Sequence, residues 1–160
     1  INPVAKGVPE ITKSETMQQI RDLVKEDPQA IWLAVDMAYP ATNIPAMAGA
    51  DCLNTTQTYP QKTRWEMLDQ EGEYEDIYNR YCHIRASFGS KTMLELVSTD
   101  YVEVTLSPED LKKLNIRYIV STNDFDEKIA AGTTNIFTDS GIEFQKYYEG
   151  TQLSIYGCVY

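Results

Sequence analysis

Two apolar runs constrain the fold of this chain more than any other feature. Ile31-Trp32-Leu33-Ala34-Val35 is unbroken and ends at Asp36, and Ile116-Arg117-Tyr118-Ile119-Val120-Ser121 is nearly so. A strand that is apolar along its length has no side to give to water, so it sits inside a parallel or mixed sheet covered on both faces. Each run follows a helix signal. Thr12-Lys13-Ser14-Glu15 has the capping-box pattern, and Met17, Ile20, Leu23 and Val24 then recur at helical spacing until Asp27-Pro28 stops the helix. Ser107-Pro108-Glu109-Asp110 is a second start, with Ser as cap, Pro at the first helical position and acids in the first turn. Leu111 and Leu114 face inward there, and Asn115 suits a left-handed cap.

Elsewhere the period changes to two. Residues 83–88, 93–97 and 101–106 alternate or read as strands, and turns at Gly89-Ser90 and Ser98-Thr99-Asp100 suggest an antiparallel meander. Residues 143–148 and 153–160 frame Glu149-Gly150-Thr151 as a closing hairpin. Residues 37–64 read as loop with a short helix near Ala46-Met47-Ala48, followed by one helical turn over 65–68. A second helix over 73–81 carries the stripe Tyr74, Ile77, Tyr78 and Tyr81. Residues 1–11 read as an entering linker and 122–141 as loop. The expected fold is α/β or α+β: one domain over 1–160, with a mixed sheet and helices packed on it.

A chain of 160 residues can bury a core without staples. Its net charge of −10 repels phosphate backbones, which disfavours nucleic acid as a partner. No run approaches the ~20 apolar residues that span a bilayer. The chain starts at Ile1 rather than Met, which suggests a piece processed or cut from something longer. Cys52, Cys82 and Cys158 form no CxxC pair, so a zinc site of the usual spacing is not expected. They fit either one disulfide with a free thiol or three buried reduced thiols. Asn54-Thr55-Thr56 is a glycosylation triplet of the kind that also arises by chance.

No complete catalytic, metal or nucleotide motif is present. The single histidine, His83, follows Cys82 directly, and adjacent strand residues point to opposite faces, so the two make a poor nucleophile–base pair. There is no GxSxG, HExxH, GxGxxG or P-loop. The acids Asp69, Glu71, Glu73, Glu75 and Asp76 lack EF-hand order and read as a solvated face. No catalytic, cofactor-binding or metal-binding residue is assigned. The one distinctive cluster is Tyr78, Asn79, Arg80, Tyr81 and His83, at a helix-to-strand junction. Aromatic faces beside planar hydrogen-bonders suit carbohydrate or carboxylate recognition. The same residues also fit packing, with Tyr78 and Tyr81 in a core stripe and Arg80 paired with the acidic run.

Residues 111–121 with the closing Ile155-Tyr156, and the stretch Ile77-Tyr78-Asn79-Arg80-Tyr81-Cys82-His83, resemble the C-terminal extracytoplasmic domain of bacterial multi-pass membrane glycosyltransferases of the GT-C type. The resemblance implies a non-catalytic, extracytoplasmic part of a cell-envelope enzyme. Its partners would be its own transmembrane domain and an acceptor glycan, with no cofactor. The catalytic acids of such enzymes lie in membrane loops that have no counterpart here. Two other readings compete: a stand-alone glycan hydrolase using two carboxylates, and a protein-interaction module docking through its tyrosines.

Overall fold

The computed structural model describes residues 15–59, 61–128 and 134–160. The expected linker over 1–11 and the capping box at Thr12 lie outside them. Helix α1 (Glu15–Glu26) ends one residue before Asp27-Pro28 and leads into β1 (Ile31–Val35). After a 3-10 turn (Ala41–Asn43) come α2 (Ile44–Met47), β2 (Asp51–Cys52), α3 (Lys62–Leu68) and α4 (Glu75–Tyr78). Strands β3 (His83–Phe88), β4 (Met93–Ser98) and β5 (Tyr101–Leu106) follow, then α5 (Pro108–Leu114) and β6 (Ile116–Thr122). Short helices α6 (Phe125–Lys128) and α7 (Thr134–Asp139) precede the hairpin β7 (Glu143–Glu149) and β8 (Leu153–Val159).

The strands form one mixed sheet in the order β4-β5-β3-β1-β6-β8-β7, with β2 also paired to β1. The two apolar runs are neighbours: β1 and β6 lie parallel at the centre, with Leu33 opposite Ile119 and Ala34 opposite Val120. β1 is apolar throughout and β6 nearly so, because both faces of each are largely buried. The α5 start forms as read, with a Ser107–Asp110 capping box and Asn115 left-handed at φ 54°. The closing hairpin also forms, β7 antiparallel to β8.

Three local expectations change. The meander is replaced by an insertion: β5 lies between β3 and β4, parallel to β3 and antiparallel to β4. Parallel register sets Ile84, Ala86 and Phe88 beside Val102, Val104 and Leu106, so the apolar positions of both strands share one face. The expected helix over 73–81 shrinks to Glu75–Tyr78, because Tyr81 is 51% exposed and has left the packed stripe. The expected loop over 122–141 contains α6 and α7, whose Phe125 and Phe137 are buried.

Two apolar layers flank the sheet. The first runs across its width, joining Leu33, Ile84, Val104 and Ile119 to Trp65 of α3 and Leu111 of α5. The second is narrower, joining Trp32, Ala34, Val120 and Ile155 to Met17 and Ile20 of α1 and Ile44 of α2. Among the described residues, the buried members of this second layer include none from β3, β5 or β4.

Candidate ligand-binding face

The uncovered face of β3, β5 and β4 follows from alternation. The even positions of β3 and β5 are buried, apart from the half-buried Phe88 at the end of β3, and the odd ones are half-buried. Cross-strand register arranges the odd positions in rows. His83 sits opposite Tyr101, and Arg85 opposite Glu103, which is itself opposite Glu95. Successive rows along a strand are about 6.6 Å apart.

The chain leaving β1 folds over this face. Asp36 takes a left-handed conformation, φ 54°, which the short polar side chain of Asp tolerates. Its N–H bonds to the Ala86 carbonyl at 2.8 Å. Tyr39 then stacks on His83, ring centroids 4.0 Å apart and planes inclined by 30°, while Tyr81 meets the same imidazole edge-on at 5.6 Å. Tyr39 and Tyr81 are each about half exposed, at 50% and 51%. Beside them Arg85 reaches Glu103 at 3.5 Å and Asp36 at 4.0 Å. The result is an aromatic patch next to a charged row.

A wedge of chain between β1 and β3 holds the patch in place. Strand β2 pairs with the start of β1, and the Leu53 N–H continues the ladder to the Trp32 carbonyl at 2.9 Å. Next the fully buried Asn54 side chain imitates a strand. Its Oδ1 accepts from the Ala34 N–H at 2.9 Å and its Nδ2 donates to the Ala34 carbonyl at 2.6 Å. Only beyond it does β3 pair with β1, at Val35 and Ala86. Buried Gln57 then clamps the next segment: Nε2 donates to the carbonyls of Tyr78 and Arg80, and Oε1 accepts from the Trp65 indole at 2.6 Å. Thr56, between these two clamps, presents Oγ1 to His83 Nδ1 at 3.0 Å.

The five residues expected from sequence therefore divide. Tyr81 and His83 lie in the patch. Tyr78 is buried and stacks on Trp65 with centroids 5.7 Å apart; burial, then nearby carboxylates, pushes its hydroxyl pKa up. Arg80 turns back and donates to the carbonyls of Ile77 and Asp76 at 2.9 and 2.6 Å, so it braces backbone rather than pairing with the acidic run. Asn79 is exposed at the end of α4. Within that acidic run, buried Asp69 accepts from the N–H groups of Glu73 and Tyr74, both at 2.9 Å. Among the described residues no group of three metal ligands forms.

Sequence reading missed Tyr39, Thr56, Arg85, Tyr101 and Glu103. The available signal was the alternation itself, whose polar half names Arg85, Tyr101 and Glu103. Nothing local marks Tyr39 or Thr56, which come from distant segments. The cysteines are three free, buried thiols rather than a disulfide pair. Burial pushes Cys52 and Cys82 up to about 11 and Cys158 up to about 12, so they are poor nucleophiles. Asn54, with 0% exposure, cannot accept a glycan in this fold.

A family model for a domain of unknown function, DUF7654, matches residues 10–160. The chain belongs to the DUF7654 family. Comparison with curated proteins and with solved structures finds no match. In this DUF7654 domain the patch, its clamps and both apolar layers all fall inside the matched span.

Proposed function

We propose that this DUF7654 domain is a non-catalytic glycan-binding module, the extracytoplasmic part of a membrane-embedded, glycosyltransferase-like protein of cell-envelope assembly. The observation that carries the binding half is the half-exposed stack of Tyr39 on His83, flanked by Tyr81 and by the Arg85 row. Sugar rings offer C–H faces to aromatic rings and hydroxyls to neighbouring polar groups, and the patch supplies both kinds of partner. Asp36 and Glu103 share one guanidinium, an arrangement suited to holding a surface rather than to providing a separate acid and base. No helix among the described residues is long and apolar enough to cross a membrane, so the membrane half of the proposal rests on the resemblance of the Tyr-Asn-Arg-Tyr stretch and residues 111–121.

The test is calorimetric titration of the domain with the tetramer of N-acetylglucosamine and with soluble cell-wall fragments. Binding that weakens at least tenfold in Tyr39→Ala and Tyr81→Ala supports the reading. Failure of the wild-type domain to bind any of these glycans, or binding indifferent to both substitutions, overturns it.

A further inference from the structure

We infer that Asn43 and Thr56 hold His83 as its Nε2–H tautomer, so that the aromatic patch offers a hydrogen-bond donor and takes a ligand with an acceptor oxygen at that point. The ligand half of this inference rests on the glycan-binding reading; the tautomer half does not.

The tautomer follows from the donors and acceptors around Thr56 Oγ1. The Thr56 backbone N–H is a donor, and it meets Asn43 Oδ1 at 2.8 Å, which fixes which end of the amide faces it. Asn43 Nδ2 is then the atom that donates to Thr56 Oγ1, at 3.0 Å, occupying one hydroxyl lone pair. A hydroxyl has one proton of its own. Asn43 Oδ1, at 3.2 Å, already accepts the Thr56 N–H, and an O–H aimed at it would point back at the amide that donates to the same oxygen, whereas His83 Nδ1 lies at 3.0 Å on a separate residue. The hydroxyl proton is therefore assigned to the shorter contact, with Nδ1 accepting. An Nδ1 that accepts leaves the single proton of a neutral imidazole on Nε2, at the opposite corner of the ring. Tyr39 on the face and Tyr81 at the edge resist rotation of that ring. Thr56 and Asn43 are thus positioning residues: they touch the imidazole network, not the ligand.

The chain has one histidine, so its ring nitrogens give unambiguous signals in long-range 1H–15N spectra of labelled protein. At pH 9 the wild-type domain is expected to show a protonated Nε2 and an unprotonated Nδ1. Thr56→Val should mix the two tautomers and Thr56→Ser should restore one. A wild-type ring protonated at Nδ1, or a tautomer unchanged in Thr56→Val, overturns the assignment without bearing on glycan binding. With the N-acetylglucosamine tetramer as probe, Thr56→Val, with roughly half of its rings in the competent tautomer, should bind about twofold more weakly and Thr56→Ser near wild type. Equal affinity of wild type and Thr56→Val overturns the donor role even if the tautomer is as assigned. No binding by the wild type overturns the parent reading and leaves the tautomer to be decided by the spectra alone.

Discussion

The half of the sheet built from β1, β6 and β8 is packed on both faces, whereas the half built from β3, β5 and β4 is packed on one. Backbone pairing is similar across the two, so strand geometry does not separate them. Side chains do: Trp32, Leu33, Ala34 and Val35 are all fully buried, while β5 buries every second residue and β3 only Ile84 and Ala86. A face left uncovered has to be polar enough for water, and that requirement is what admits His83, Arg85, Tyr101 and Glu103 to the surface. The first half makes the fold stable. The second half has room for recognition.

The sharpest break in this comparison comes from Trp32, which has 0% exposure and packs at 4.6 Å against Tyr118 under α1. Trp32→Ala should cost about 3–5 kcal/mol in urea unfolding, from lost transfer energy plus a cavity. A loss below about 1 kcal/mol would mean that the α1–α2 layer contributes little, and the contrast between the halves would collapse.

Asn54 marks the seam. Removing its amide in Asn54→Ala strands the Ala34 N–H and carbonyl in a buried place, at a cost of about 2–3 kcal/mol. Asn54→Asp keeps the acceptor for the Ala34 N–H but places a carboxylate against its carbonyl, so it should not rescue. If Asn54→Ala melts within about 0.5 kcal/mol of wild type, water serves the gap and the wedge is not a structural clamp.

The two halves were unequally legible in the sequence. The buried half was plain, because an unbroken apolar run has few other places to go. The α5 capping box was equally plain, since its signals are local. Strand neighbours were not: β3, β4 and β5 have the periods expected of them, but insertion of β5 between the other two depends on register across segments that period alone does not relate. The site was half legible for the same reason. Tyr81 and His83 stand together in sequence, while Tyr39 arrives from beyond β1, and Asn54, Thr56 and Gln57 act from a stretch whose polarity reads as loop. Side chains that replace a strand leave no period to detect.

A smaller effect separates the layers by pH. The buried Cys52 thiol is raised from 9.0 to about 11, with burial the largest cause. In the unfolded chain it ionises earlier, so between those values the unfolded state binds fewer protons than the folded one. Its contribution is therefore complete below pH 9 and is lost as pH rises toward 11, by about 1 kcal/mol at pH 10. Cys52→Ala should flatten the fall in stability between pH 8 and 10 by that amount. An unchanged slope would show that the thiol reaches water, and so that the narrow layer over β1 is open near β2.

The smallest stability effect belongs to the open face. Tyr39→Ala and Tyr101→Ala remove rings that water already reaches, so each should change unfolding free energy by less than about 1 kcal/mol. Arg85→Ala breaks only exposed ion pairs and should fall in the same range. These near-silent changes sharpen the comparison because binding should move in the opposite order: Tyr39→Ala, mild for the fold, is the substitution expected to weaken glycan binding most, and Trp32→Ala should leave the affinity of the folded fraction near wild type. Should Tyr39→Ala instead destabilise as much as Asn54→Ala, the Tyr39–His83 stack is packing that happens to lie near water, and the open half has no claim to be the recognition surface.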